Sequence, residues 1–251
     1  MLVLPACANQ APAPVAAAPD LDAYAGVLRD YVLDNGTVRY SELRAGIAPL
    51  ERFVAQIAQV SPDSHPALFP PAQARLAYWI NAYNALVLWA FAKDYPRNKD
   101  RLTGAVSRGW FFYRTKFLVG GRRRTLADIE DNSIRKDFGE ARIHFALVCA
   151  STSCPWLSRD AFTEANLEAL LERETRRFLH QERNIRIDPD KREATLSKIF
   201  DWFRKDFGGR DHDLLEFVAR YREGDREQLR QPGWKVRFFD YDWSLNDAAA
   251  T

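Results

Sequence analysis

The sequence has few of the features that identify a chemistry directly. Its 251 residues include three cysteines, four histidines and a single methionine. It contains no Gly-rich phosphate loop, nucleophile elbow or dinucleotide-binding fingerprint, so no motif supports nucleotide-dependent chemistry. No apolar run approaches the roughly 18 residues that a membrane-spanning helix needs.

An excess of charge of one sign is also missing. The chain has 36 Lys and Arg residues against 34 Asp and Glu residues, a net charge of +2. A nucleic-acid-binding protein usually has an excess of positive charge, and this balance shows no such excess overall. We interpret the basic runs at 122–124 and 173–186 as solvated surfaces, because glutamates alternate with arginines in and around the second run, as on a helix with many ion pairs. We therefore expect no nucleic-acid partner.

The amino-terminal residues suggest a location. Leu4-Pro5-Ala6-Cys7 resembles the end of a bacterial lipoprotein signal, and the Ala/Pro-rich residues 8–20 are typical of a flexible tether. We expect 1–20 to be a truncated signal and tether, with Cys7 lipidated and anchoring the protein to the membrane on the periplasmic face of the cell envelope. If Met1 is the true start, the alternative is a cytoplasmic protein with an inert Cys7.

Hydrophobic periodicity predicts a single α+β domain over residues 21–246 and a disordered tail over 247–251. Residues 73–93 are apolar nearly all round, which predicts a helix buried at the centre of the domain against a short antiparallel sheet. Further helices are predicted at 21–34, 41–60 (with a break at Pro49), 163–181, 198–207 and 213–222, and a short one after the N-cap Thr125. Strands are predicted at 110–113, 116–119, 142–149, 184–187 and 235–239.

Six segments in order resemble the domain of unknown function 547 family. They are residues 77–86 (AYWINAYNAL), 126–130 (LADIE), 142–149 (RIHFALVC), 153–155 (SCP), 198–203 (KIFDWF) and 241–246 (YDWSLN). In this family a histidine usually follows the Ile-Glu pair, whereas this chain has Asp131. The resemblance implies kinship and, since many members look secreted or lipid-anchored, an envelope location, but it implies no assigned activity. The buried helix followed by a histidine-bearing strand is loosely similar to the papain or transglutaminase arrangement, with Tyr78 and Asn81 where a cysteine would be expected.

Asn81 and Asn84 lie three residues apart and so share one face of the central helix. A buried amide needs hydrogen-bond partners, so these side chains either fix loop backbone or orient a ligand or a catalytic group. His144, in its predicted strand, is the other polar side chain in an apolar setting. Regular alternation would place His144 and Cys149 on opposite faces.

Cys154 follows a short polar stretch that is suited to a turn, so its thiol and the His144 imidazole can meet. Glu130 or Asn81 would then orient the ring, as for an activated cysteine nucleophile. Three alternatives remain open: a Cys149–Cys154 disulfide, inert packed cysteines with Cys149 as plain core, and a zinc site. The zinc site is disfavoured because no fourth ligand is evident.

Two motifs, Asp201-Trp202 and Asp242-Trp243, combine a carboxylate with an aromatic ring. They indicate either a cleft for a small-molecule, peptide or glycan ligand, with Asn84 and Tyr78 contributing, or a clamp on the core. The sequence favours a binding or scaffold module with a polar pocket around His144 and Asn81, needing no cofactor or metal. The alternative is a thiol-dependent hydrolase or acyl-transfer enzyme that uses Cys154 and His144.

Overall fold

The central helix organises the larger of two hydrophobic cores. The computed structural model describes residues 17–250, so the expectation for Cys7 lies outside the described residues. Helix α4 (Ala72–Ala92) is buried on nearly every face, as its composition predicts. It packs against α2 (Tyr40–Ala45), α3 (Ala48–Gln59) and the π-helical turn Ile129–Arg135, and its Trp89 ring meets Phe117 of a short hairpin edge-on.

The remaining helices surround this core or form the carboxyl-terminal half. They are α1 (Leu21–Tyr31), α5 (Ala105–Tyr113), α6 (Leu126–Asp128), α7 (Lys136–Phe138), α8 (Leu167–Leu179), α9 (Lys198–Trp202), α10 (Asp211–Tyr221) and α11 (Arg226–Leu229). Short 3-10 helices span Pro66–Leu68, Ala141–Phe145, Arg204–Phe207, Glu223–Asp225 and Ala248–Ala250.

Two small sheets complete the α+β fold. Strands β1 (Phe117–Val119) and β2 (Arg122–Arg124) form an antiparallel hairpin around Gly120-Gly121, as predicted. Strands β3 (Ile185–Asp188), β4 (Glu193–Leu196) and β5 (Lys235–Phe238) form a mixed sheet, with β4 antiparallel to β3 and parallel to β5. Strand β4 was missed in the sequence. The second core lies among this sheet, α8, α9 and α10.

The predicted strand at 110–113 is wrong, because these residues end helix α5. Aromatic residues favour strands only weakly, and tertiary contacts override that preference. Within the helix Phe111 is fully buried and contacts Phe91, while Trp110 and Tyr113 remain exposed.

The predicted strand at 142–149 is also wrong. Residues Ala141–Phe145 form a 3-10 helix, and the segment then continues without regular structure. It is apolar because it lies between the two cores: Ile143 and Leu147 belong to the first, and Phe145 belongs to the second. A short apolar run of this kind does not reveal its backbone conformation. The argument that alternation separates His144 from Cys149 therefore does not apply.

The carboxyl-terminal segment returns to the first core. The Val38 N–H donates to Asn246 O (2.9 Å) and the Ala248 N–H to Val38 O (2.9 Å). Residues 247–250, expected in a disordered tail, include a bridge from Asp247 to Val38 and a 3-10 turn. The chain therefore closes across α1 and α2, close to the loop that follows Cys149.

Candidate functional site

A cavity of about 570 Å³ lies where the two cores meet. It is bounded by α4, α5, the π-helical turn, the segment 144–155, α9 and the segment 241–243. Its polar and ionisable lining includes Tyr83, Arg108, Tyr113, Glu130, Asp131, Arg135, His144, Cys149, Cys154 and Tyr241. A concave site in which several such groups converge is the usual form of a ligand-binding or catalytic pocket.

Cys149 and Cys154 are both free thiols, and they differ sharply in environment. Cys154 is buried, and its Sγ accepts a hydrogen bond from the Cys149 backbone N–H at 2.8 Å. Cys149 is only partly buried, and its Sγ lies 2.9 Å from Ser151 Oγ and 3.4 Å from the Tyr241 hydroxyl. Both thiols line the cavity, and Cys149 is the more accessible of the two.

The two thiols also differ in acidity. Burial would raise the pKa of Cys149, but hydrogen bonds from Cys154, Ser151 and Tyr241 outweigh it and lower the pKa to about 7. Burial raises the pKa of Cys154, and its hydrogen bond to Cys149 raises that pKa further. A thiol with a lowered pKa on a cavity wall has the environment of a reactive cysteine.

The backbone turn after Cys149 is held in an unusual conformation. Ala150 has φ of 65°, a left-handed value that costs a non-glycine residue about 1 kcal/mol. The Asn246 N–H donates to Ala150 O at 3.0 Å, and the Thr152 N–H donates to Ser244 O at 2.8 Å. The carboxyl-terminal segment therefore fixes the reversal that brings Ser151 back to the Cys149 sulfur.

Glu130 projects from the π-helical turn toward the cavity. Its Oε2 accepts a hydrogen bond from the Tyr83 hydroxyl at 3.3 Å. Burial is the main cause that raises the pKa of Glu130 to about 7, and the negative charge of Asp131 adds to the rise. The positive charge of Arg135 opposes it. The thiolate of Cys149 adds to the same rise. Glu130 is therefore able to carry a proton near neutral pH.

His144 is fixed between two carboxylates. Its Nε2 lies 2.8 Å from Asp206 Oδ2, and its Nδ1 lies 4.0 Å from Glu130 Oε1. Burial lowers the pKa of His144, so the ring is neutral, with Nε2–H donating to Asp206 and Nδ1 facing Glu130. Phe203 stacks on the ring at 4.0 Å between centroids.

Asp206 is held in place by two donors. The hydrogen bond with His144 is the main cause that holds the pKa of Asp206 well below its usual range, and the guanidinium of Arg135 lowers that pKa further. The Nε of Arg135 donates to Asp206 Oδ2 at 2.6 Å and its Nη2 donates to Oδ1 at 3.0 Å. This bidentate pair fixes the carboxylate that in turn orients the imidazole.

Three aromatic rings form one wall of the cavity. Trp202 and Trp243 stack with centroids 5.3 Å apart, and Tyr241 packs within 4.4 Å of Trp243 and 4.7 Å of Trp202. The guanidinium of Arg108 lies over the Trp243 ring at 4.0 Å. Trp202 is 44% exposed, so part of this wall is open to a ligand.

The two asparagines of α4 hold buried backbone in place. Asn84 donates from Nδ2 to Ala146 O (2.9 Å) and accepts from the Val148 N–H (3.0 Å). Asn81 makes the same pair of bonds to the carbonyl and the N–H of Phe162, at 2.6 and 3.0 Å. Both amides therefore bond loop backbone, which is one of the two interpretations that the sequence left open. Asn84 supports the segment that follows His144.

The structure gathers only part of the predicted set. Glu130, His144, Cys154, Trp202 and Trp243 all line the large cavity. Five other predicted residues do not line it: Asn81, Asn84, Tyr78, Asp201 and Asp242. Asn81 and Tyr78 line a separate, smaller cavity of about 200 Å³, where the Tyr78 hydroxyl donates to Val60 O at 2.6 Å. Asp201 pairs with Lys198, and Asp242 accepts from Ser244 and donates its own N–H to Ser153 Oγ.

Sequence reasoning missed several residues of the site. Cys149 was interpreted as core, whereas it lies on the cavity wall. Tyr83, Arg135, Asp206 and Tyr241 were not singled out. The only signal was that Tyr83 precedes Asn84 on the same helix. Nothing in the sequence brings Asp206 to His144, 62 residues away.

Neither a metal centre nor a membrane span is found among residues 17–250. No group of three or more His, Cys, Asp or Glu side chains there is arranged to hold a metal ion. No helix in that range is long and apolar enough to cross a membrane.

Comparison with known proteins gives one match. No curated protein and no solved structure is significantly similar to the chain. Residues 69–179 match the model of a family described as "Protein of unknown function, DUF547". The matched segment contains α4, Glu130, His144 and both cysteines of the cavity, but not Asp206 or the aromatic wall. The match supports the DUF547 domain family over this central segment.

Proposed function

We propose that the protein is a thiol-dependent hydrolase or acyl-transfer enzyme whose nucleophile is Cys149. One observation carries the proposal: the partly buried Cys149, whose sulfur lies 2.9 Å from Ser151 Oγ and 3.4 Å from the Tyr241 hydroxyl, shares a cavity with Glu130 and His144. Its hydrogen bonds lower the pKa of the Cys149 thiol, and burial raises the pKa of Glu130. Two titratable groups shifted in opposite directions at one concave site are typical of acid–base and nucleophilic catalysis. Cys149 takes the role that the sequence suggested for Cys154.

The two cysteines have different roles in this proposal. The Cys149 sulfur receives hydrogen bonds that stabilise its thiolate, and it lies at the wall of the cavity. Cys154 is buried, its pKa is raised, and its sulfur already accepts the Cys149 N–H. Cys154 therefore acts on the thiolate of Cys149 as a supporting donor.

The reaction follows the usual course of nucleophilic acyl transfer. The Cys149 thiolate attacks the carbonyl carbon and forms a carbon–sulfur bond. The bond to the leaving oxygen or nitrogen breaks, and that atom takes the proton of Glu130. Water or an acceptor hydroxyl then attacks the thioester and returns a proton to Glu130, and the carbon–sulfur bond breaks to release the acid or the new ester.

His144 belongs to the proton-handling part of the site. Its Nε2 is occupied by Asp206, so Nδ1 is the atom that faces Glu130, at 4.0 Å. Arg135 and Asp206 keep the ring in this orientation. A carboxyl group and a neutral imidazole at this separation need only a small movement, or one bridging water, to exchange a proton.

The aromatic wall supplies substrate recognition. Trp202, Tyr241 and Trp243 offer a stacked apolar surface, and Arg108 places a positive charge at its edge. Such a wall suits a small-molecule, peptide or glycan acyl donor with a flat or apolar group. This surface also favours the second candidate function, a non-catalytic binding module whose ligand stacks on the same rings.

An activated ester tests the catalytic proposal. We expect p-nitrophenyl acetate to acylate Cys149, giving a thioester that is trapped by acid quenching and located by peptide mass spectrometry. Cys149→Ala should lower the rate of nitrophenol release by at least about a hundredfold. Cys7→Ser, which removes the cysteine outside the described residues, is the matched control and should leave the rate unchanged.

The opposite result is equally specific. If no acetyl group is found on Cys149 and Cys149→Ala hydrolyses the ester as fast as the unmodified chain, the enzyme proposal is wrong. The binding module then remains. It would be detected as protection of Trp202 fluorescence from acrylamide quenching by a bound glycan or peptide, and this protection would be lost in Trp202→Ala.

We also propose that the protein is anchored in the cell envelope through a lipid on Cys7. The support is the resemblance of residues 4–7 to the end of a lipoprotein signal. Mass spectrometry of the native protein tests it: diacylglycerol on Cys7 supports the anchor, and an unmodified cytoplasmic product contradicts it.

A further inference from the structure

Helix α5 carries an exposed apolar stripe that the catalytic proposal does not use. Val106, Trp110 and Tyr113 are 86%, 66% and 67% exposed. They lie four and three residues apart, so they share one face of the helix. Leu118, on the outer side of the hairpin that follows, is 48% exposed. These four are among the five large hydrophobic side chains that are exposed in the described part of the chain; Trp202 is the fifth.

The same part of the chain is strongly basic. Residues 93–124 contain ten Lys or Arg and two Asp, a net charge of +8, although the whole chain carries only +2. No Asp or Glu occurs from residue 101 to residue 127. The overall balance that argues against an electrostatic partner therefore hides a local concentration of positive charge.

Most of these cations are exposed and have no acidic partner. Arg114, Lys116, Arg122 and Arg123 are exposed, and within residues 17–250 none of them forms an ion pair with a carboxylate. By contrast, Arg124 pairs with Asp63 and Arg101 with Asp94. Unpaired surface cations keep their full attraction for an anionic partner.

The α5 stripe and the hairpin that carries most of the basic groups follow one another directly in the chain. The Thr115 N–H donates to Trp110 O at 2.9 Å, so the chain turns tightly from α5 into β1. Within the hairpin Leu118 pairs with Arg123, and paired residues on antiparallel strands project to the same side. Alternation along the strands places Lys116 on the same side as Leu118, whereas Arg122, which pairs with the buried Val119, projects to the other side. We call the surface formed by Val106, Trp110, Tyr113, Arg114, Lys116, Leu118 and Arg123 the α5–hairpin face.

We propose that the α5–hairpin face docks onto an anionic lipid surface. Trp and Tyr side chains prefer the boundary between hydrocarbon and headgroups, and an apolar helix face flanked by Arg and Lys is the form of an interfacial membrane contact. Each basic residue near an anionic bilayer strengthens binding, so the cluster of Arg114, Lys116 and Arg123 makes a substantial contribution. A nucleic acid would be contacted by the cations but would gain little from the exposed Val106 and Leu118.

Docking would place the cavity at the membrane. Tyr113 belongs to the face and also lines the cavity, and Arg108, Gly109 and Phe112 line it from the adjacent side of α5. The cavity wall that α5 forms would then lie near the headgroups, close to amphiphilic ligands. The docking itself does not depend on the thiol chemistry.

Vesicle co-sedimentation tests this docking. The full chain with Cys7→Ser is used, so that no lipid anchor contributes. We expect binding to phosphatidylcholine vesicles that contain phosphatidylglycerol, weak binding to phosphatidylcholine alone, and a loss of binding as salt is raised. Trp110→Glu should abolish sedimentation, and far-ultraviolet circular dichroism would confirm that the variant is folded.

A matched pair of charge reversals makes the test specific. Lys116→Glu with Arg123→Glu should weaken binding to the anionic vesicles about tenfold or more. Lys205→Glu with Lys235→Glu changes the net charge equally on exposed residues elsewhere and should have an effect below about twofold. Equal losses in the two doubles, no binding to anionic vesicles, or tighter binding to a short DNA duplex that Trp110→Glu leaves intact would each overturn the proposal.

Discussion

The backbone N–H of Cys149 donates a hydrogen bond to the sulfur of Cys154 at 2.8 Å. This contact ties the two cysteines into one unit across the turn at Ala150 and leaves the Cys149 side chain free to face the cavity. The buried thiol supports the accessible one, because the hydrogen bond between their side chains lowers the pKa of Cys149 and raises that of Cys154.

Alkylation by iodoacetamide should distinguish the accessible thiol of Cys149 from the buried thiol of Cys154. We expect Cys149 to react with a midpoint near pH 7 and Cys154 to remain unlabelled in the folded protein, as located by peptide mass spectrometry. Cys154→Ala removes one donor to the thiolate and should slow labelling of Cys149 roughly fivefold at pH 7, with little change at pH 10, where the thiol is ionised in both proteins. Preferential labelling of Cys154 would contradict the assignment.

Glu130→Gln should change the dependence of stability on pH. The folded-state pKa of Glu130 is raised to about 7, so its contribution to stability is complete below the unfolded-state pKa, near 4.3, and is lost as pH rises through 7. The neutral amide avoids that loss, and we expect Glu130→Gln to be more stable than the unmodified protein at pH 8 by up to about 3 kcal/mol. Urea unfolding at pH 5 and pH 8 measures the difference; Glu182→Gln, on an exposed residue, should show none.

Glu130→Gln should lower the catalytic activity, although it raises the stability at pH 8. If the reaction needs an ionised Cys149 and a protonated Glu130, kcat/KM for the ester rises and then falls around pH 7. Glu130→Gln should lower the maximum and remove the alkaline fall, because that fall reports the deprotonation of Glu130. A variant that keeps the alkaline limb would show that another group is responsible.

Asp206→Asn should lower the free energy of unfolding at neutral pH. The pKa of Asp206 is lowered, chiefly by its hydrogen bond with His144, so its stabilisation is present above the unfolded-state pKa near 3.9 and is lost as pH falls through the lower folded-state pKa. We expect a loss of about 1–2 kcal/mol at pH 7, reduced from the value for a fully buried pair because Asp206 is partly exposed. The difference from the unmodified protein should shrink below pH 4 in urea titrations. A constant difference would show that packing is the cause.

Asn84→Ala should be strongly destabilising. The substitution leaves the carbonyl of Ala146 and the N–H of Val148 buried without partners, which costs about 3 kcal/mol. Asn132→Ala, on an exposed residue that bonds only Asp128, should cost less than about 0.5 kcal/mol. Chemical denaturation of both variants measures the contrast, and similar losses would mean that the buried amide contributes little.

Ala150→Gly should cost less stability than most buried alanine-to-glycine changes. Glycine adopts a φ of 65° without strain, so a relief of about 1 kcal/mol offsets part of the extra entropy of the unfolded chain and of the lost burial of the methyl group. Ala161→Gly, at a buried position where φ is not positive, is the control and should lose about 1 kcal/mol or more. Thermal unfolding compares them. An equal loss in both variants would mean that the turn stores no strain.

The sequence was sufficient for the elements whose pattern extends over many residues. Residues 73–93 are apolar on nearly every face of a helix, which predicted the buried central helix. Thr125 predicted a helix start, and Gly120-Gly121 predicted a hairpin turn. The predictions at 110–113 and 142–149 failed because short aromatic or apolar runs fit a buried helix as well as a strand. For the candidate site, the sequence named Glu130, His144 and Cys154, which all line the cavity. It did not indicate that Cys149 is the more accessible thiol, since accessibility is not encoded in spacing.

The sequence by itself determined the α+β class, the buried helix and the need of its two amides for partners, because burial of apolar surface and satisfaction of polar groups follow from residue type and order. The tertiary structure alone decided which thiol is accessible, that Asp206 and Arg135 fix His144, and that the aromatic rings of the carboxyl-terminal segment wall the cavity. These properties depend on distances between groups far apart in the chain. Solvation, hydrogen bonding and charge at those distances set the pKa values of Cys149 and Glu130.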